Sequence, residues 1–115
     1  MKKHPLKRFL YTVLCIVLAT YSAAARPIRV ACIGNSVTYG YGHSNPSVTS
    51  YPPRLGEMLG DKYEVRNFGH SGATLLNRGH RPYTQQQAYR NAVAFAPDKA
   101  IIHLGLNDTD PRNWP

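Results

Sequence analysis

The sequence predicts an α/β fold, a parallel sheet covered by helices, and three observations carry the prediction. Three short runs rich in β-formers, 27–33, 63–68 and 100–104, are bounded by glycine or loop residues, the pattern of buried strands. Two stretches with apolar residues at helical spacing separate them, giving the order β-loop-α-β-loop-α-β. Strands that alternate with helices are joined by right-handed crossovers and therefore run parallel.

In chain order, residues 1–25 come first and read as a secretory signal peptide. Lys2, Lys3, Lys7 and Arg8 form a basic head, Phe9 to Leu18 is apolar except for Tyr11 and Thr12, and Ala23-Ala24-Ala25 is a small-residue cleavage site. The apolar run is too short to span a bilayer, so no stable membrane anchor is expected, and the protein is expected to be secreted or periplasmic. Cys15 follows Leu14, which is bulkier than the residue a lipoprotein site carries.

The first strand covers Pro27 to Ile33, and Gly34 to Ser50 is expected to be loop, punctuated by Gly40, Gly42 and Pro46. A helix then opens on Pro52-Pro53, since proline suits a first turn. Its apolar stripe is Leu55, Met58 and Leu59, and Gly60 ends it. Tyr63 to Phe68 alternates as a second strand, with Tyr63, Val65 and Asn67 on one face. Gly69 to Pro82 is a polar loop that Leu75-Leu76 pins to the core. The second helix runs from about Thr84 to Phe95 with Ala88, Ala92 and Phe95 buried, and Pro97 stops it. Ala100 to Leu104 is the third strand, apolar except for His103, which is expected to be packed and hydrogen-bonded.

Charge and cysteine content narrow the function classes. The whole chain carries a formal +8, but four basic residues belong to the signal, leaving ten basic against six acidic residues, or +4, beyond it. Those ten are scattered, without a run or an aromatic-interleaved stripe, so no nucleic acid is expected as partner. Cys32 is the single cysteine after residue 25, a small buried residue rather than part of a disulfide framework. No Cys/His cluster has metal-ligand spacing, so no metal and no cofactor are expected.

Each strand runs directly into a loop of small and amide residues: Gly34-Asn35-Ser36, then Asn67 to Thr74, then Gly105-Leu106-Asn107-Asp108. In a parallel sheet these loops open at one carboxyl edge, and with strands one and three flanking the switch point Ser36 and Asn107 face each other there. A serine hydroxyl attacking an ester needs a base for its proton, and the resulting oxyanion needs donors already aimed at it. The Gly72 N–H and the Asn107 side-chain amide are such donors. Each residue also has a plainer role: Ser36 as a helix cap or turn serine, Gly72 as a positive-φ position, Asn107 as a turn residue. Asp108 is expected to cap its loop, Arg81 either to bind a carboxylate bidentately or to be solvated. Tyr39, Tyr41, Tyr51 and Tyr83 divide between a sugar-stacking surface and simple packing.

The segments Gly34-Asn35-Ser36-Val37-Thr38, Asn67-Phe68-Gly69-His70-Ser71-Gly72-Ala73-Thr74 and Gly105-Leu106-Asn107-Asp108 resemble, in order, the first three blocks of the SGNH (GDSL-type) hydrolases. Gly79-His80-Arg81-Pro82-Tyr83 and Asn107 to Pro115 are similar to bacterial secreted members described as sialate O-acetylesterases. The resemblance implies a flavodoxin-like three-layer α/β/α fold and metal-free ester hydrolysis through an acyl-enzyme. It makes Ser36 the nucleophile and gives the oxyanion hole to the Ser36 N–H, Gly72 and Asn107. Asn35, His80 and Arg81 become candidate substrate contacts, and the partner a small-molecule or glycan ester. Two departures stand out. Asn35 replaces the usual aspartate, as in similar subgroups. The fourth block, Asp-x-x-His, is absent: none of His4, His43, His70, His80 and His103 follows an aspartate by three. Residues 26–115 are therefore expected to be the N-terminal portion of the hydrolase domain, cut after the third strand, with little turnover alone. The alternative is a non-catalytic glycan-binding remnant of the same fold. A nucleotide-binding domain lacks a lysine in Walker spacing and a G-x-G-x-x-G opening a helix.

Overall fold

The structure, a computed structural model, describes residues 4–21 and 25–114. The expected signal peptide lies partly outside these residues. Its described part forms helix α1, Pro5–Tyr21, with every side chain from Pro5 to Ile16 exposed. No helix among the described residues is long and apolar enough to cross a membrane.

Three strands form one parallel sheet in the order β2-β1-β3: β1 is Ile28–Gly34, β2 Tyr63–Gly69 and β3 Lys99–His103. This is the beginning of the flavodoxin-like order, with the switch point between β1 and β3. In register, Cys32 sits between Asn67 and Ile101, and Gly34 between Gly69 and His103. Val30, Ala31 and Cys32 of the central strand are buried.

Between β1 and β2 lie α2 (Ser36–Tyr39), α3 (Pro46–Thr49) and α4 (Tyr51–Leu59), and α5 (Gln87–Phe95) precedes β3. Side chains alternate across a strand, so Val65, which meets Gly56 of α4, and Phe68, which packs at 5.4 Å on Phe95 of α5, point to opposite faces. Helices therefore lie on both faces of the sheet, over β1 and β2, giving three layers. Phe95 is further held by the guanidinium groups of Arg29 and Arg66, 5.5 and 4.7 Å from its ring centre.

Helix α4 begins on the prolines that predict it, and Gly60 ends it with φ 74° and an N–H bonded to Gly56 O. α5 starts later than expected: Tyr83–Gln85 is a separate 3₁₀ turn, and Gln86 takes an extended conformation before the helix. Its end is set by Pro97, which disfavours the α region for Ala96, and Ala96 turns left-handed at φ 50°. At the opposite edge of the sheet the Asp98 carboxylate accepts both the Arg26 guanidinium and the Arg29 N–H, fastening the start of β3 to β1. The Arg26 bond, then the Arg29 amide, holds that carboxyl well below the usual range.

Three expectations are corrected. The apolar anchors fail in part: Leu75, expected to pin its loop to the core, is exposed, as are Met58 and Leu59 of the expected α4 stripe. The segment 34–50 is not simply loop, because Asn35 caps one helical turn and Pro46 opens another. β3 is not enclosed: Ile101 and Ile102, on opposite faces, are 39% and 64% exposed, and among the described residues β3 pairs with β1 alone. His103 is consequently exposed rather than packed, and it is its carbonyl that bonds, to the Asn35 N–H.

Candidate active site

Ser36 lies immediately beyond the carboxyl end of the central strand. Asn35 is fully buried, and its Oδ1 accepts the Val37 N–H at 3.1 Å, so it caps the α2 turn. The cap role open to Ser36 thus falls to its neighbour, and Ser36 becomes the first helical residue. Its backbone N–H is one of the donors a helix start leaves free, and among the described residues its Oγ has no hydrogen-bond partner. Gly40 closes the turn at φ 91°, its N–H on Ser36 O. The turn sits directly on the strand ends. A Cβ on Gly34 would strike the Thr38 side chain and come within 2.8 Å of His103 O. A Cβ on Gly69 would strike the main chain of Tyr39, 2.7 Å from its Cα.

Gly72 occupies the third position of a turn closed by Ala73 N–H on His70 O, with φ 80°, a value that favours glycine. Arg81 lies on this turn. Its Nη1 donates to Ser71 O at 3.1 Å, and a Cβ on Gly72 would meet the same nitrogen at 3.0 Å. The Ser71 hydroxyl is buried without a partner.

Asn107 stands in a 3₁₀ turn, Leu106–Thr109, and its Nδ2 donates to Ala73 O at 2.9 Å. An amide nitrogen carries two N–H groups, so one remains for a ligand. The adjoining residues fasten the loop. Both Asp108 oxygens accept main-chain N–H groups, from Leu75 at 2.9 Å and Leu76 at 2.7 Å, which makes Asp108 the loop cap it was expected to be. Asn113 Nδ2 donates to Asn107 O at 3.0 Å, while its Oδ1 accepts the His80 N–H at 2.7 Å and faces His80 Nδ1 at 3.1 Å. Because that oxygen only accepts, His80 turns a protonated Nδ1 toward it. Trp114 Nε1 donates to Asp108 O.

The three loops are joined at one edge by three bonds. His70 N–H donates to Gly34 O at 2.9 Å, Asn35 N–H to His103 O at 3.3 Å, and Asn107 Nδ2 to Ala73 O. Ser36, Gly72 and Asn107 thus stand on loops in mutual contact. His80 and Arg81 are exposed beside them, whereas Asn35 is buried behind Ser36 with its Nδ2 unpaired. Sequence reasoning missed Asn113 as a bridge, because partners 33 residues apart leave no periodic signal. The tyrosines divide clearly. Tyr39 and Tyr41 are exposed, whereas Tyr51 is half-buried against Thr38, and Tyr83 is buried with its hydroxyl on Phe68 O at 2.6 Å. Burial pushes the Tyr83 hydroxyl up to about 12 and raises the Cys32 thiol, the latter partly offset by Tyr51. Among the described residues no three His, Cys, Asp or Glu side chains cluster as a metal site would require.

Comparison with known proteins gives three findings. The profile of the GDSL-like Lipase/Acylhydrolase family matches residues 32–115. The chain is 51% identical over 87 residues to an acetylxylan esterase of Xylanibacter ruminicola, covering 76% of this chain and 18% of that protein. The chain thus spans less than a fifth of that relative's length. Among solved structures, a mutant of the esterase AlinE4 aligns at 28% identity with a TM-score of 0.49, over 75% of this chain and 44% of the other.

Proposed function

This chain belongs to the GDSL-like lipase/acylhydrolase family, the SGNH hydrolases, and on that premise we propose that it carries the nucleophile and oxyanion side of a carbohydrate O-acetylesterase. In this reading Ser36 Oγ attacks the acyl carbonyl. The Ser36 N–H, the Gly72 N–H and the second N–H of Asn107 receive the oxyanion, collapse of the tetrahedral intermediate releases the alcohol, and water then cleaves the acyl-enzyme left on Ser36. The observation that supports it most is the Asn107 Nδ2 bond to Ala73 O, which ties the side-chain donor to the loop of the main-chain donor. An acetylated sugar is the proposed substrate, a xylan or a sialate ester. The 51% identity to an acetylxylan esterase favours the first, and Arg81, exposed beside Gly72, suits the carboxylate of the second. Export, expected from residues 1–25, belongs to the same proposal.

Hydrolysis of p-nitrophenyl acetate tests this reading. The chain holds no Asp-x-x-His, and Ser36 Oγ has no histidine partner among the described residues, so the rate is expected near background. Imidazole added as an external base should produce an excess rate over Ser36→Ala, since a general base is worth about 10²–10⁴-fold. Equal rates for the native chain and Ser36→Ala, with and without imidazole, would remove the nucleophile. A strong Ser36-dependent rate without imidazole would assign the base to His70 or His80. The unpartnered Ser36 Oγ also favours a second reading, a glycan-binding remnant, whose mark is glycan affinity that survives Ser36→Ala without any ester turnover.

A further inference from the structure

The α2 turn carries a feature the esterase chemistry does not use. Tyr39 lies three residues after Ser36 in one helical turn, and residues at this spacing are neighbours on the same face, with Cβ atoms about 5–6 Å apart. Its main chain is fixed from several sides. The N–H donates to Asn35 O at 2.9 Å, Asn67 Nδ2 donates to the Tyr39 carbonyl at 3.4 Å and to the Thr38 carbonyl at 2.7 Å, and Gly69 lies against the backbone. The residue is nonetheless 49% exposed, a large amphipathic side chain kept out of the core. It borders a cleft of about 390 Å³, shared with Pro46, Ser47, Asn67 and Gly69. That volume falls in the range of small-molecule sites, roughly 300–1,000 Å³. The wall is mixed in character. Asn67 is fully engaged, its Oδ1 on the Gly69 N–H and its Nδ2 on main-chain carbonyls, and it shapes the cleft. Ser47 Oγ donates to Asn45 Oδ1 at 2.7 Å and keeps its lone pairs for an incoming hydroxyl. Tyr41 is more exposed, at 77%, and does not line this cleft.

We propose that this cleft on the β2 side of Ser36 is a sugar subsite in which Tyr39 stacks on the apolar face of a pyranose ring while Ser47 accepts a hydroxyl at the rim. The inference rests on the carbohydrate-ester reading above and adds where the alcohol portion of the substrate lies. The ring needs little ordering on binding, because its backbone is already fixed and a tyrosine has only two side-chain torsions.

Ligand-detected saturation-transfer NMR on the full chain, with an acetylated xylo-oligosaccharide as probe, tests the proposal. Saturation should reach the C–H protons of one sugar ring. Tyr39→Ala should weaken the affinity about tenfold, in line with an aromatic contact of about 1.4 kcal/mol. Tyr39→Phe should stay within about twofold of the native chain. Tyr39→Leu keeps bulk without an aromatic face, so it should lose affinity as Tyr39→Ala does while retaining the native unfolding midpoint. Native affinity in both Tyr39→Ala and Tyr39→Leu, or no saturation transfer from the native chain, overturns the subsite. The imidazole assay separates this outcome from failure of the esterase reading. A Ser36-dependent rate without sugar binding removes the subsite alone. Tyr39-dependent binding without such a rate removes the nucleophile alone.

Discussion

The turn proposed to carry the nucleophile and the loops proposed to carry the oxyanion donors meet at one sheet edge but are held in different ways. The turn at Ser36 sits on a buried strand and combines short-range bonds, from the Val37 N–H to Asn35 Oδ1 and from the Tyr39 N–H to Asn35 O, with bonds from Asn67 Nδ2 to the Thr38 carbonyl and from the Asn35 N–H to His103 O. The loops 70–83 and 105–114 are joined by polar bonds across more than thirty residues: Asn107 to Ala73, Asp108 to Leu75 and Leu76, Asn113 to His80. Few large apolar side chains are buried there, and Leu75 and Leu106 are 60% and 62% exposed. One half of the site is seated by the core, the other by a polar clamp. The two halves should therefore fail separately.

The largest expected effect falls on chemistry. Asn107→Ala removes the proposed side-chain oxyanion donor, and the imidazole-assisted, Ser36-dependent rate should fall about 10²–10³-fold. A loss of less than about threefold would return Asn107 to a turn role. Next comes the clamp. Asp108→Ala leaves the Leu75 and Leu76 N–H groups without their carboxylate, and loss of two charge-assisted bonds should cost about 2–4 kcal/mol of stability. Amide hydrogen exchange sharpens the comparison. Leu75 and Leu76 should lose protection while Val37 and Tyr39 keep theirs, and equal loss at all four would show the halves to be one cooperative unit. The smallest effect belongs to Tyr83, whose hydroxyl bonds to Phe68 O and so links the clamp to β2. Its pKa is raised to about 12 by burial. Tyr83 thus contributes its stability in full below the ordinary tyrosine value of about 10 and loses it as pH climbs toward the folded value. Tyr83→Phe should cost about 1 kcal/mol at neutral pH and show a shallower alkaline loss, read by denaturant unfolding at both ends of that window. Parallel pH profiles for the two proteins would contradict this.

The same division governs what the sequence made legible. Apolar runs and turn residues located β1 and β2 to within a residue or so, because strand burial writes a pattern into consecutive positions. Helix α4 was legible from its prolines and Gly60, but its predicted stripe is not a buried one, since Met58 and Leu59 are exposed. The single turns α2 and α3 were not, since four residues are too few to show a helical period. The exposure of Ile101 and Ile102 was hidden too, because composition records that a strand is apolar and not what lies against it. Ser36, Gly72 and Asn107 came from short motifs at strand ends, where position in the topology matters more than partners. Asn113 has no such address, and its place at His80 follows only from folding two distant loops together.

The close seat of α2 on Gly34 and Gly69 has a mechanical consequence. With no side chain on either glycine, the height of Ser36 above the sheet is set by the Tyr39 main chain resting on Gly69 and the buried Thr38 side chain resting on Gly34. Rotamer hopping elsewhere in the core has no lever through which to lift or lower the hydroxyl there. The mounting behaves as a shimless bearing. Its precision comes from removing parts, and its only adjustment is the register of the strands beneath.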